Sequence, residues 1–187
     1  MIVIKRMDNS DLCRIAEIDR SEHINSMYVY KDGILEAKEV DWQVSRWSTD
    51  DHPEHSVSAK IKAWKPYLEQ GGIMLGAFDD GLLVGIAILR PKLTENMAQL
   101  AVLHMSKDYR RKGIGAKLTK EVFKSATEMG AKEIYVSSSP SANTVAVYMS
   151  QGFELAKEVN KELYDLEPED IHMIKILSKE TSFCQRR

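Results

Sequence analysis

Three apolar runs in close succession, Gly72–Phe78, Leu82–Leu89 and Met97–Met105, constrain this chain more than any other feature. The first two flank Asp79-Asp80-Gly81, a turn signal that predicts an antiparallel hairpin. The third predicts the next strand. After it, Ile114, Leu118, Val122 and Met129 recur along one face of a long helix, and Gly130 is placed to stop that helix in the left-handed conformation. Glu133–Ser137 then reads as a short strand. Ser139-Pro140-Ser141 opens a helix carrying Val145 and Tyr148, and Gly152 ends it. Phe153–Val159 and Ile171–Leu177 read as the last strands. Hairpins first and strand–helix–strand later predict an α/β protein of the α+β kind, a mixed sheet with helices packed on it.

The N-terminal part is less periodic. Ile2–Lys5 is strand-like, and Asn9 or Ser10 offers an N-cap to a helix with Leu12, Ile15 and Ala16 on one face. From about Ser21 to His55 the pattern weakens, although Tyr28, Tyr30, Trp42 and Trp47 make the stretch too aromatic and too long for a simple loop. Val57, Ile61, Trp64 and Leu68 recur at helical spacing, with Pro66 expected to kink or shorten that helix. No repeat or Pro/Gly/Ser linker divides the 187 residues, so one domain is expected over 1–187, within the size of an ordinary core.

Charge and cysteine content narrow the function. The 26 Lys and Arg against 28 Asp and Glu leave a net charge of −2, which argues against a dedicated nucleic-acid binder. The longest apolar run is far short of the ~20 residues that span a bilayer, so no membrane partner is expected. Cys13 and Cys184 lie near opposite ends and suggest reduced thiols in a cytoplasmic protein. His52-Pro-Glu-His55 has no clear third ligand, so no metal is expected there.

The stretch Met105-Ser-Lys-Asp-Tyr-Arg110-Arg111-Lys112-Gly113-Ile114-Gly115 carries the chemistry. It lies between an apolar strand and the start of an amphipathic helix. Two glycines let the backbone approach a ligand, the helix start adds free amides, and three basic residues add charge. Such a combination predicts a phosphate or pyrophosphate site. The order of residues fits neither a P-loop nor a dinucleotide fingerprint.

Arg110-x-x-Gly113-x-Gly115 after a strand resembles the pyrophosphate loop of the Gcn5-related N-acetyltransferase (GNAT) family. Asn143-Thr-Val-Ala-Val-Tyr148-Met-Ser-Gln-Gly152-Phe153 resembles that family's second signature. The likeness runs from Gly72 to Leu177, an expected acetyl-CoA-binding core over 72–177, with 21–70 as a variable acceptor-side region. The resemblance implies a central mixed sheet whose two splayed parallel strands, Met97–Met105 and Glu133–Ser137, admit acetyl-CoA. Backbone groups of Leu103, His104 and Met105 would meet the pantetheine arm. The amides of Arg111, Lys112, Gly113, Ile114, Gly115 and Ala116 would cradle the pyrophosphate beside Arg110, Asn143 would hydrogen-bond the pantetheine, and Tyr148 would lie near the thioester sulfur.

The implied activity is acetyl transfer to a primary amine of a small molecule or peptide, by direct attack. The alternative is a non-catalytic acyl-CoA sensor or interaction module. A homodimer is compatible with either. Many relatives place a Glu on the strand matching Met97–Met105, but this chain has Gln99 and Ala101 there. The base is therefore expected to be water or Glu22, with His104 and Glu95 as further candidates and Tyr148 as the acid.

Overall fold

The computed structural model describes residues 1–50 and 55–177. His52 and Cys184, singled out above, lie outside the described residues.

Seven strands form one sheet in the order β1 (Ile2–Met7), β4 (Ile73–Asp79), β5 (Leu82–Arg90), β6 (Met97–Met105), β7 (Glu133–Ser138), β9 (Ile171–Ile176) and β8 (Glu154–Leu155). Every neighbouring pair is antiparallel except β6 and β7. The expected hairpin is β4–β5, with Asp80 and Gly81 both at positive φ in its turn. A second, two-stranded ribbon pairs β2 (Glu22–Lys31) with β3 (Ile34–Val44).

The helices cover both faces of the large sheet. α2 (Ile114–Glu128) and α3 (Ala142–Ser150) close one side, where Leu118, Val122, Ile134, Val136, Tyr148 and Phe153 pack with β5 and β6. A 3₁₀ helix over Asn9–Glu17 and α1 (Val57–Glu69) close the other, around Ile15, Trp64, Leu68, Ile86 and Ile88. Burying such side chains at roughly 25 cal/mol per Å² holds the layers together.

Several expectations change. The first helix begins after Asp8, whose amide donates to Asp11 Oδ2 at 3.0 Å, and its buried face is Leu12, Ile15 and Ile18 while Ala16 is exposed. Helix α1 runs through Pro66 to Glu69. That proline is exposed in the last turn, so the missing hydrogen bond opens to water while Trp64 and Leu68 anchor the buried face. Met129 is exposed beyond α2, and Ala126 takes its place in the core. The expected strand Phe153–Val159 is a strand only over Glu154–Leu155, because pairing with β9 lasts two residues. It is followed by a short helix not anticipated, α4 (Lys161–Leu166), whose Asn160 cap accepts from the Leu163 amide.

One feature of the sheet positions the site. β6 has nine residues, yet it pairs with β7 only through Met97–Gln99 against Glu133–Tyr135. Beyond them the parallel strands separate, leaving Leu100–Met105 with β5 on one side and no strand on the other. A bulge lies at the point of departure: Ile88 pairs with Val102 but Leu89 with Leu100, so Ala101 is the extra residue. Bulges bend a strand and re-aim its side chains.

Candidate active site

The loop from β6 to α2 borders the open edge. Arg111 (φ 59°) and Gly113 (φ 73°) are both left-handed, Gly113 as the N-cap of α2. Left-handed residues in such a turn aim successive amides to one side, which makes an anion-binding concavity. Among the described residues, the amides of Arg111–Ala116 donate to no protein group, and the first helical bond runs from the Lys117 amide to the Gly113 carbonyl. A β-carbon at Gly113 would meet nothing within 4 Å, and one at Gly115 only Met105 Cγ at 3.8 Å. The space in front of both glycines is open, as a ligand cradle requires. Lys112 Nζ lies 5.2 Å over the Tyr109 ring.

The side chain of Arg110 points away from that cradle. Its Nε donates to the Met105 carbonyl at 3.3 Å, Nη2 to the Arg20 carbonyl at 2.7 Å, and Nη1 lies 3.0 Å from Glu22 Oε2. The guanidinium thus ties both ends of the loop to the start of β2. Lys107 does the same on the other flank: its ammonium is 3.2 Å from Asp19, and its amide donates to the Asp19 carbonyl. The Ser21 hydroxyl, supported by Lys107, holds the Asp19 carboxyl down at about 2.

Glu22 is the first residue of β2. Besides Arg110, its carboxylate accepts from Asn143 Nδ2 at 3.3 Å. Two expected cofactor residues are therefore joined by the expected base, whose oxygens are both engaged. Residue Asn143 follows the Ser141 cap of α3, whose hydroxyl accepts from the Thr144 amide. Tyr148 lies on the buried face of that helix, edge-on to Phe153 at 5.4 Å between centroids. Burial, and then the negative charge of Asp170, raise its hydroxyl pKa well above that of free tyrosine.

The other base candidates are poorly placed. His104 is packed edge-on to Trp47 at 4.9 Å and stacked on Trp64 at 5.8 Å. Burial, with the charges of Arg20, Lys60 and Arg110, pushes its pKa down to about 3. A ring so reluctant to take a proton is a packing residue. Glu95 is exposed before β6. Gln99 is buried and accepts from Arg90, which is paired with Glu162 at 2.7 Å. The four aromatic residues of the variable region divide: Trp47 is in the core, Tyr28 is partly buried against the cluster under α2 and α3, and Trp42 and Tyr30 are exposed on the ribbon.

One group escaped notice in the sequence. Asp170 and His172, at the start of β9, line a small recess with Tyr30, Leu155, Ala156 and Val159. A Glu-Pro-Glu-Asp run before a strand gives no periodic signal, and only the fold brings it within electrostatic reach of Tyr148.

Comparison with known proteins places this architecture. A family model described as an acetyltransferase (GNAT) domain matches residues 38–173. Nourseothricin acetyltransferase has a similar structure, at 19% identity and TM-score 0.70, covering 95% of this chain and 99% of that one. The PaiA N-acetyltransferase of Thermoplasma acidophilum in complex with coenzyme A is similar at 20% identity and TM-score 0.61, over 94% and 99% of the two chains. A proposed streptothricin acetyltransferase from Bacillus anthracis with acetyl coenzyme A bound follows at 17% identity and TM-score 0.65, over 93% and 96%. The search of curated proteins returned no match. With the family signature spanning most of the chain and the parted strands on which it depends in place, the chain belongs to the GNAT family and is an acetyl-CoA-dependent N-acetyltransferase.

Proposed function

We propose that the chain transfers the acetyl group of acetyl-CoA directly to a primary amine of a small molecule or peptide. The observation that carries this reading is the coincidence of two openings: the parted edge of β6 and the outward-facing amides of Arg111–Ala116 meet at one end of the sheet. The pantetheine arm would pair with the free edge at Leu103, His104 and Met105, and Asn143 would bond it from the opposite side. The amides take the pyrophosphate, aided by Lys112 and the start of α2. Arg110 contributes by shaping the loop, since its guanidinium is committed to Met105, Arg20 and Glu22.

Attack by the amine puts negative charge on the thioester oxygen, for which the Leu103 amide is the available donor. As the carbon–sulfur bond breaks, Tyr148 donates to the departing sulfur. Its raised pKa keeps the phenol protonated, so the donor is always present. The names of the similar nourseothricin and streptothricin enzymes support a small-molecule acceptor.

Thiol release from acetyl-CoA across a panel of polyamine, aminoglycoside, amino acid and peptide amines tests the reading. Amine-dependent release with an acetylated product supports it. Coenzyme A binding without turnover on any amine would make the protein a sensor.

A further inference from the structure

The two faces of the sheet treat the end of β7 differently. Ile171 and Met173 of β9 face the core under α2 and α3. His172 alternates with them and faces the other side, its ring 5.8 Å from that of Tyr135, and Asp170 just before the strand lines the same recess. That is the side opposite the α3 helix carrying Tyr148, from which an acceptor would reach the parted strands. Ser137, on β7 past its last residue paired with β6, donates its hydroxyl to Asp170 Oδ2 at 2.9 Å. The Asp170 charge in turn bears on Tyr148. Asp170 is therefore tied to the part of β7 that lies beyond its pairing with β6.

The recess beside it is built for a ligand. His172 is only 7% exposed, and neither ring nitrogen has a hydrogen-bond partner. Burial holds its pKa down, so the ring is neutral and offers one acceptor and one donor. Unsatisfied buried polar atoms are rare in folded proteins, and this ring keeps hydrogen-bonding capacity for a water-sized polar group such as an ammonium in the recess. The recess has room for one headgroup rather than a whole ligand, and its remaining walls are the apolar Leu155, Ala156 and Val159 with the ring of Tyr30.

We propose that this recess binds the ammonium of an aliphatic primary amine, and that Asp170 is the base that removes its proton. The inference rests on the acetyltransferase reading above and adds the acceptor class and the missing base. The ammonium gives one proton to Asp170, which holds it through the attack and releases it to solvent once the thiol has formed. The free nitrogen attacks the thioester carbon and loses a second proton as the carbon–nitrogen bond is completed and the carbon–sulfur bond breaks. Sulfur takes one proton from Tyr148, which solvent replaces, so one proton is released per turnover. While Asp170 is charged it weakens Tyr148 as an acid; once protonated it does not, so acid and base act in the required order. The groups that bear on Asp170 are Ser137 from β7 by a hydrogen bond, Tyr148 from α3 and Glu167 after α4 through their electrostatics, and His172 and Tyr30, which line the recess with it. Burial, opposed by the Ser137 hydroxyl and helped by Glu167, raises its carboxyl to about 6.

The test uses 1,5-diaminopentane as acceptor with wild type, Asp170→Asn and Asp170→Glu. Asparagine keeps the acceptor for Ser137 and removes the base. For wild type, kcat/KM is expected to rise to a plateau above about pH 6. In Asp170→Asn it should fall by about 10²–10⁴-fold, lose that limb and keep rising toward the amine pKa of ~10.4. Asp170→Glu should restore part of the rate, and coenzyme A affinity should stay within twofold in both variants. An Asp170→Asn enzyme with the wild-type rate and limb would overturn the proposal. So would a wild type that neither binds nor acetylates diaminopentane, while thiol release with another panel amine would leave the acetyltransferase reading intact.

Discussion

Glu22 Oε2 lies 3.0 Å from Arg110 Nη1 while Oε1 accepts from Asn143 Nδ2, so one carboxylate of the ribbon joins the β6–α2 loop to the helix bearing Tyr148. Both cofactor signatures are thereby held by a residue that belongs to neither. Glu22→Gln is expected to raise KM for acetyl-CoA about three- to tenfold, the scale of one ordinary hydrogen bond, and to leave the acid limb of the pH profile in place. Steady-state kinetics over pH checks this. Loss of the limb in Glu22→Gln would make Glu22 the base after all.

Tyr148→Phe keeps the ring on Phe153 and removes only the hydroxyl. With a general acid lost, kcat should fall about 10²–10⁴-fold while acetyl-CoA affinity changes little. Pre-steady-state measurement of thiol release decides it, and an unchanged chemical step would leave Tyr148 a packing residue.

The central strands, the hairpin turn, helix α2 and the opening of α3 were legible in the sequence because each has a strong local signal. The ribbon β2–β3 was not, since most of its residues are exposed on both faces and show no alternation. Its turn was marked all the same: Asp32-Gly33, both at positive φ, is a hairpin dipeptide between Lys31 and Ile34. The proposed cofactor half of the site follows a contiguous motif, so spacing reveals it. The acceptor half does not. In the proposed acceptor recess, Tyr30 of the ribbon meets Asp170 and His172, more than a hundred residues later, by packing of two separate sheets, and no local pattern encodes that.

Asp170 also makes a stability prediction. Its folded pKa is raised to about 6, above the ~3.9 of an unfolded aspartate, so its favourable contribution is complete below ~3.9 and is lost as pH rises through 6. At pH 7–8 the charged, buried carboxylate is a liability. Asp170→Asn should therefore raise Tm there and have little effect near pH 4. Thermal melts at both pH values measure this, and a lower Tm at pH 7–8 would show that Asp170 serves the fold.

His104 has the opposite sign. Its pKa is depressed to about 3 from ~6.5, so its stabilising contribution is present above ~6.5 and fades as pH falls toward 3. Replacing it with Phe, which fills the slot between Trp47 and Trp64, should flatten the fall of Tm between pH 7 and 5. An equally steep fall would place the acid sensitivity elsewhere.

The most direct measurement is calorimetric titration of coenzyme A into wild type and Gly113→Val. Gly113 is left-handed with open space before it, so a β-branched residue strains the turn by about 1–2 kcal/mol and fills the amide cradle. The account predicts that wild type binds coenzyme A and that the folded variant, confirmed by an unaltered circular dichroism spectrum, binds at least tenfold more weakly. Equal affinity would contradict the placement of the pyrophosphate, and with it the site.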